Sequence, residues 1–103
     1  MPIRIKISEI RAELVIVCDH CGNQIESADD GGYEWLQPDD TEPGKLVDVV
    51  FLHKDCSYPH ELASGSLWHS MELSVMLPYL VRNLSVDMEK ATRIATYFNQ
   101  SME

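Results

Sequence analysis

The sequence is poor in basic residues, and none of them falls between Arg11 and Lys45. The chain of 103 residues has 8 Lys and Arg against 17 Asp and Glu, which gives a formal net charge of -9. Such a surface repels phosphate backbones and attracts basic partners. We therefore expect a protein partner of basic character and consider nucleic acid a disfavoured ligand.

Long hydrophobic runs are also missing. The first residues mix isoleucine with charge, and no later stretch approaches the roughly 20 apolar residues that cross a bilayer. We expect neither secretion nor membrane insertion. Cysteine is scarce as well, since the chain has only 3, an odd number that does not suit a secreted disulfide framework. These features predict a cytoplasmic protein.

The cysteines that are present fall into a pattern typical of a metal site. Cys18 and Cys21 form a C-x2-C pair, and His53 and Cys56 form an H-x2-C pair after 31 intervening residues. Zinc prefers four nitrogen or sulfur ligands in a tetrahedron, and a two-residue gap lets both members of a pair reach one ion. The sequence therefore predicts a Zn²⁺ ion held by these four residues.

Two other histidines lie near the predicted ligands. His20 stands between two cysteines that must themselves converge, so it is a poor candidate. His60 lies four residues beyond Cys56 and remains an alternative to His53 if a helix begins at Cys56, because residues four apart share a helix face.

The predicted zinc is structural. A catalytic zinc keeps three protein ligands and an open position, whereas this sequence offers four good ligands. His60 and Glu61 begin an HE pair, but Ser64 stands where an HExxH motif needs its second histidine. We therefore expect no enzymatic activity.

Hydrophobic periodicity predicts strands in the first half of the chain. Ile3, Ile5 and Ile7 alternate with polar residues, and the apolar run 14–17 leads into Cys18. Residues 33–35 and 47–52 predict a further hairpin, joined by an acidic connector over residues 37–45 that is rich in turn-forming residues. The second strand of this hairpin would end at His53.

The second half has helical periodicity from Ser66 onward. Apolar residues at three- and four-residue steps predict a helix over 66–84, apolar on two sides, with a kink or break at Pro78, where a second short helix would begin. A last helix follows, with Ser85 as its predicted N-cap. The chain thus predicts an α+β fold in a single domain (1–103), with a β-rich zinc-binding part (1–59) and a helical part (60–103).

The segments CDHCG and FLHKDC, separated by a predicted hairpin, resemble a treble-clef zinc finger of the kind found in LIM-like half-modules. The resemblance covers roughly residues 14–65. It implies that Cys18 and Cys21 lie on a knuckle and that His53 and Cys56 come from the first turn of the following helix. Pro59 departs from that pattern, because it limits a helix beginning at Cys56.

Treble clefs have many functions, so the resemblance does not select one. We interpret the chain as a protein-interaction or regulatory module that forms a homodimer through its C-terminal helices, since residues 67–84 are apolar on two sides. The alternative is a zinc-dependent nucleic-acid-binding regulator, because residues 85–101 resemble one helix of a helix-turn-helix. Against this alternative, the basic residues Arg82, Lys90 and Arg93 are too few to form a phosphate-binding stripe.

Overall fold

The computed structural model describes residues 2–36 and 43–101, with side chains as far as Tyr97. Within these residues the elements follow in the order β1 (Ile3–Ile7), β2 (Ala12–Ile16), β3 (Gly31–Trp35), β4 (Val50–His53), α1 (Ser57–Ser64), β5 (His69–Glu72), α2 (Met76–Asn83) and α3 (Met88–Ser101). Short 3-10 turns precede β3, α1 and α2. The α+β prediction is confirmed.

Strands β1 and β2 form a two-stranded antiparallel hairpin. Ile3 pairs with Ile16 and Ile5 pairs with Leu14, so their side chains share one face. That face is open, because Ile5 is 55% exposed and Leu14 is 73% exposed. A lone two-stranded hairpin is only marginally stable. Any surface that covers this apolar face would therefore stabilise the hairpin.

The second sheet has three antiparallel strands in the order β4-β3-β5. Tyr33 pairs with Phe51 across β3 and β4, and Glu34 pairs with Val50. Because successive residues of a strand face opposite sides, Tyr33 and Glu34 define the two faces of this sheet. The predicted hairpin of β3 and β4 is confirmed, whereas residues 37–42 of its acidic connector lie outside the described residues.

Strand β5 corrects the prediction of a helix over 66–84. Residues His69–Glu72 pair with the free edge of β3, with His69 opposite Trp35. The His69 and Trp35 rings stack, with centroids 5.7 Å apart. The apolar spacing suits a helix, but pairing with an open strand edge and stacking on an aromatic neighbour outweigh local periodicity here.

Both prolines lie in the first turn of a short helix, as predicted for Pro78 but not for Pro59. Pro78 is the third residue of α2 and Pro59 is the third residue of α1, which continues to Ser64. A proline in the first turn of a helix costs little, because the N–H that it lacks would have had no intrahelical partner. Pro59 therefore does not shorten α1. Helix α2 begins two residues before Pro78, which agrees with the predicted break and second short helix rather than with a kink.

Helix α3 begins later than predicted. Asp87 caps it, with the Asp87 Oδ1 accepting a hydrogen bond from the Lys90 N–H at 3.0 Å. The predicted N-cap, Ser85, instead has a φ of 54°, in the left-handed region. A carboxylate both caps the helix and interacts favourably with its N-terminal dipole, which accounts for the choice of Asp87.

The buried apolar core is small and lies between the three-stranded sheet and the turn that carries Cys18; it consists of Cys18, Ile25, Phe51, Leu52 and Leu73. Gly31 permits this packing, since a Cβ there would lie 2.8 Å from Ile25 Cγ2 and 2.9 Å from Leu73 Cδ2. No helix in the described part of the chain has the length and hydrophobicity needed to span a membrane.

Candidate metal centre

The first ligand pair lies on a tight turn that follows β2. Cys18 donates its N–H to the Asn23 carbonyl at 2.9 Å and accepts at its own carbonyl from the Gly22 N–H at 3.0 Å. Gly22 has a φ of 78°, a conformation that glycine adopts without steric cost. This local geometry directs the side chains of Cys18 and Cys21 to the same side of the turn.

The second pair lies where β4 ends. His53 is the last residue of β4, and Cys56 ends the 3-10 turn Lys54–Cys56 just before α1. Asp19 ties this strand to the first turn, because its N–H donates to the Phe51 carbonyl at 2.7 Å and its carboxylate accepts from the Phe51 N–H at 2.8 Å. The fold thereby brings both ends of a 31-residue interval together.

The four predicted ligands converge. The sulfur atoms of Cys18, Cys21 and Cys56 and a ring nitrogen of His53 all lie within 4.8 Å of one another. Ligands at 2.3 Å around a tetrahedral zinc are separated by about 3.8 Å. His53 Nδ1 already lies 3.3 Å from the Cys21 sulfur. The chemistry and spacing of these donors therefore fit one tetrahedral metal ion.

The remaining polar contacts orient His53. Its Nε2 lies 3.1 Å from the Gln24 carbonyl, an arrangement in which Nε2 carries the proton and Nδ1 is left for the metal. Its backbone N–H donates to the Cys18 sulfur at 3.4 Å. Asp19 and Gln24 are thus supporting residues that the ligand spacing alone does not reveal.

The alternative ligand His60 lies elsewhere. Among the described residues, the group of metal-binding side chains contains His53 and not His60 or His20. The His60 ring packs against Trp68, with centroids 4.8 Å apart, and approaches the His20 ring at 6.3 Å. The geometry therefore favours His53 as the fourth ligand.

The cluster also shifts the acidities of its own members. Burial acts to raise the pKa of the Cys18 thiol, but backbone N–H groups of Cys21, His53 and His20 outweigh it and lower that pKa to about 6. Burial, followed by the effect of the neighbouring sulfurs, raises the pKa of Cys56 to about 12. The interaction with Cys18 is the main cause of a raised pKa at His53. A metal ion bound by this cluster would meet Cys18 as a thiolate near neutral pH and would have to displace the proton of Cys56.

These acidities predict that metal affinity rises with pH between about 5 and 8. Cys18 ionises within this range, and acidification protonates both Cys18 and His53, so protons compete with the metal. Taken alone, the lowered pKa of Cys18 contributes folding stability that is complete above its ordinary 9.0 and is lost as the pH falls through about 6. Competition with a chromophoric chelator over this pH range measures the effect, and an affinity independent of pH would contradict it.

Comparisons with protein-family models, curated proteins and solved structures found no match to this chain. The treble-clef resemblance therefore remains a prediction from the residues. What the structure itself supports is a small α+β protein with a Cys3His cluster suited to a metal ion.

Proposed function

We propose that this protein is a non-enzymatic interaction module whose treble-clef-like half is held together by a structural zinc ion. The order of elements supports the resemblance, since a knuckle bearing Cys18 and Cys21 is followed by a hairpin and then by a helix start bearing Cys56. The module self-associates and presents its acidic half to a basic protein.

The number of protein ligands, four, supports a structural role for the metal. Three sulfurs and one imidazole nitrogen complete a zinc tetrahedron and leave no position for a substrate or an activated water. Three thiolates bound to one Zn²⁺ leave a net charge of about -1, which adds to the anionic surface between Arg11 and Lys45. That surface favours a basic protein over a nucleic acid.

The extent of exposed surface supports self-association. The chain exposes 8230 Å², whereas a compact monomer of its mass exposes about 5,900 Å². Its radius of gyration is 16.3 Å, against about 13 Å for a compact domain of 100 residues. The excess surface, about 2,300 Å², is larger than the roughly 800 Å² that each partner contributes to a standard interface.

Part of this surface is an apolar groove beside α2. It has a volume of 670 Å³, and its walls include Trp35, Val49, Tyr79 and Leu80. The groove reaches the hairpin through Ile3, so it continues into the open apolar face of β1 and β2. A second copy of the chain is the occupant that this continuous surface fits.

Helix α3 supplies the complementary face. Ile94 is 48% exposed and Tyr97, three residues later on the same side of the helix, is 67% exposed. Lys90 and Arg93 line the same surface of α3 as these two side chains. In a two-fold dimer each α3 packs into the groove of the other copy.

Ile94→Glu tests this arrangement. A carboxylate placed on the apolar face of α3 cannot be buried in the groove without a large desolvation cost, so the dimer is expected to dissociate. Light scattering on the zinc-loaded protein should give twice 11.7 kDa for the original chain and 11.7 kDa for Ile94→Glu.

Thr96→Glu is the matched control, because it adds the same charge to α3 away from the Ile94 and Tyr97 face, and it should remain dimeric. An original chain that is monomeric at tens of micromolar would overturn self-association. Salt-dependent retardation of random duplex DNA would instead favour the nucleic-acid alternative.

A further inference from the structure

The face of the three-stranded sheet that lies opposite Tyr33 carries a buried carboxylate. Glu34 sits on the central strand β3, paired with Val50 on one side and Ser70 on the other. It is only 3% exposed, and its Oε1 has no hydrogen-bond partner among the residues that the structure describes. Burying an ionised carboxylate in this way is costly unless a positive group pairs with it.

Glu34 lines a cavity of 380 Å³ on this face. Gly32, two residues earlier on the same strand, has no side chain and leaves the floor open between Leu52 and Glu72, its two cross-strand neighbours. Ser57 and Ser70 add hydroxyl groups to the wall. The cavity thus combines an apolar floor with convergent polar groups, as ligand sites do.

The lysine that lines this cavity, Lys54, pairs with Glu72 and not with Glu34. Lys54 lines the wall, but its Nζ pairs with Glu72 Oε1 at 3.5 Å, and the two side chains are 46% and 66% exposed. Glu34 therefore faces the cavity as the buried acceptor, while Glu72 and Lys54 form a solvated pair on the wall. Within the described residues, Glu34 therefore has no positively charged partner.

Organic cations fit this requirement better than a metal ion. Among the described residues, the cluster that offers three or more metal-binding side chains within reach of one ion is the Cys3His site, and Glu34 is not part of it. An arginine guanidinium or a lysine ammonium needs one carboxylate and nearby hydroxyl acceptors, and its aliphatic stem packs on apolar walls.

We infer that this cavity binds the cationic end of an arginine or lysine side chain of the basic partner, with Glu34 as the pairing carboxylate. The inference rests on the proposed interaction function and names the recognition element of its acidic half. The cavity lies on the opposite face of the sheet from the apolar groove, so self-association and capture of a cation use separate surfaces.

The test uses three small probes on the zinc-loaded full chain: the Nα-acetyl N-methylamides of arginine, lysine and citrulline. Citrulline has the shape of arginine without its charge. Amide chemical shifts of Gly32, Glu34, Ser70 and Glu72 should change on titration with arginine, lysine or both, and whichever cation binds more tightly identifies the side chain. Citrulline should bind at least tenfold more weakly.

Glu34→Gln should weaken cation binding at least tenfold, whereas Glu89→Gln, an exposed glutamate on α3, should leave it unchanged. The inference is overturned if the original chain binds citrulline as tightly as it binds the better of the two cations. That comparison does not depend on the folding of a variant. If the chain is monomeric but binds a cation, the cavity site stands and self-association is wrong. If the chain is a dimer that binds neither cation, self-association stands and the cavity site is wrong.

Discussion

Replacing His53 with alanine is expected to abolish stoichiometric zinc binding and to unfold the region between residues 17 and 56. The four predicted ligands come from two turns that are distant in sequence, and the core beside them consists of few residues, with Cys18 itself among them. Structural zinc contributes roughly 10–16 kcal/mol in zinc-finger peptides. A whole domain has a net stability of only about 5–15 kcal/mol. If the loss of His53 releases the zinc, the protein loses a binding free energy comparable with its entire folding free energy.

Zinc content per chain and thermal unfolding followed by circular dichroism measure the effect of His53→Ala. His20→Ala is the matched control, because His20 lies between the two cysteines of the first turn yet stands outside the ligand cluster. It should keep one zinc per chain, with its unfolding free energy within about 0.5 kcal/mol of the original. A His53→Ala protein that retained its zinc and its melting temperature would show that His53 is not a ligand.

Leu52→Ala is expected to cost about 2–5 kcal/mol of unfolding free energy, because it leaves a cavity in a closely packed site. Leu52 is 0% exposed, and it is followed directly by the ligand His53 at the end of β4. Its loss should therefore also loosen the alignment of the second ligand pair with the first. Denaturant unfolding of the zinc-loaded protein measures the change.

Leu46→Ala makes the same chemical change at a side chain that is 93% exposed. It should alter the unfolding free energy by no more than about 0.5 kcal/mol. If the two variants proved equally stable, Leu52 would not be part of the core that supports the metal centre.

The convergence of the ligands was accessible from the sequence because each pair is local. Two residues separated by a two-residue gap on a tight turn can meet one ion whatever the rest of the fold does. The strand alternation at Ile3, Ile5 and Ile7 is equally local, and it predicted β1 correctly. The choice between His53 and His60 depended instead on where β4 ends and α1 begins, which only the folded chain shows.

The rest depended on contacts between distant segments. Residues His69–Glu72 have helical spacing in isolation, but they form a strand because β3 offers an open edge. Glu34 gave no signal in the sequence, where it reads as one more acidic residue beside Trp35. Its burial follows from its place on a central strand between two others. Sequence patterns record local preference, whereas these features arise from tertiary pairing.

X-ray absorption spectroscopy at the zinc edge of the purified protein tests the metal centre most directly. The account predicts one zinc per chain, with three sulfur neighbours at about 2.3 Å and one nitrogen neighbour at about 2.0–2.1 Å. A fully folded protein without zinc, or a metal surrounded mainly by oxygen, would contradict it.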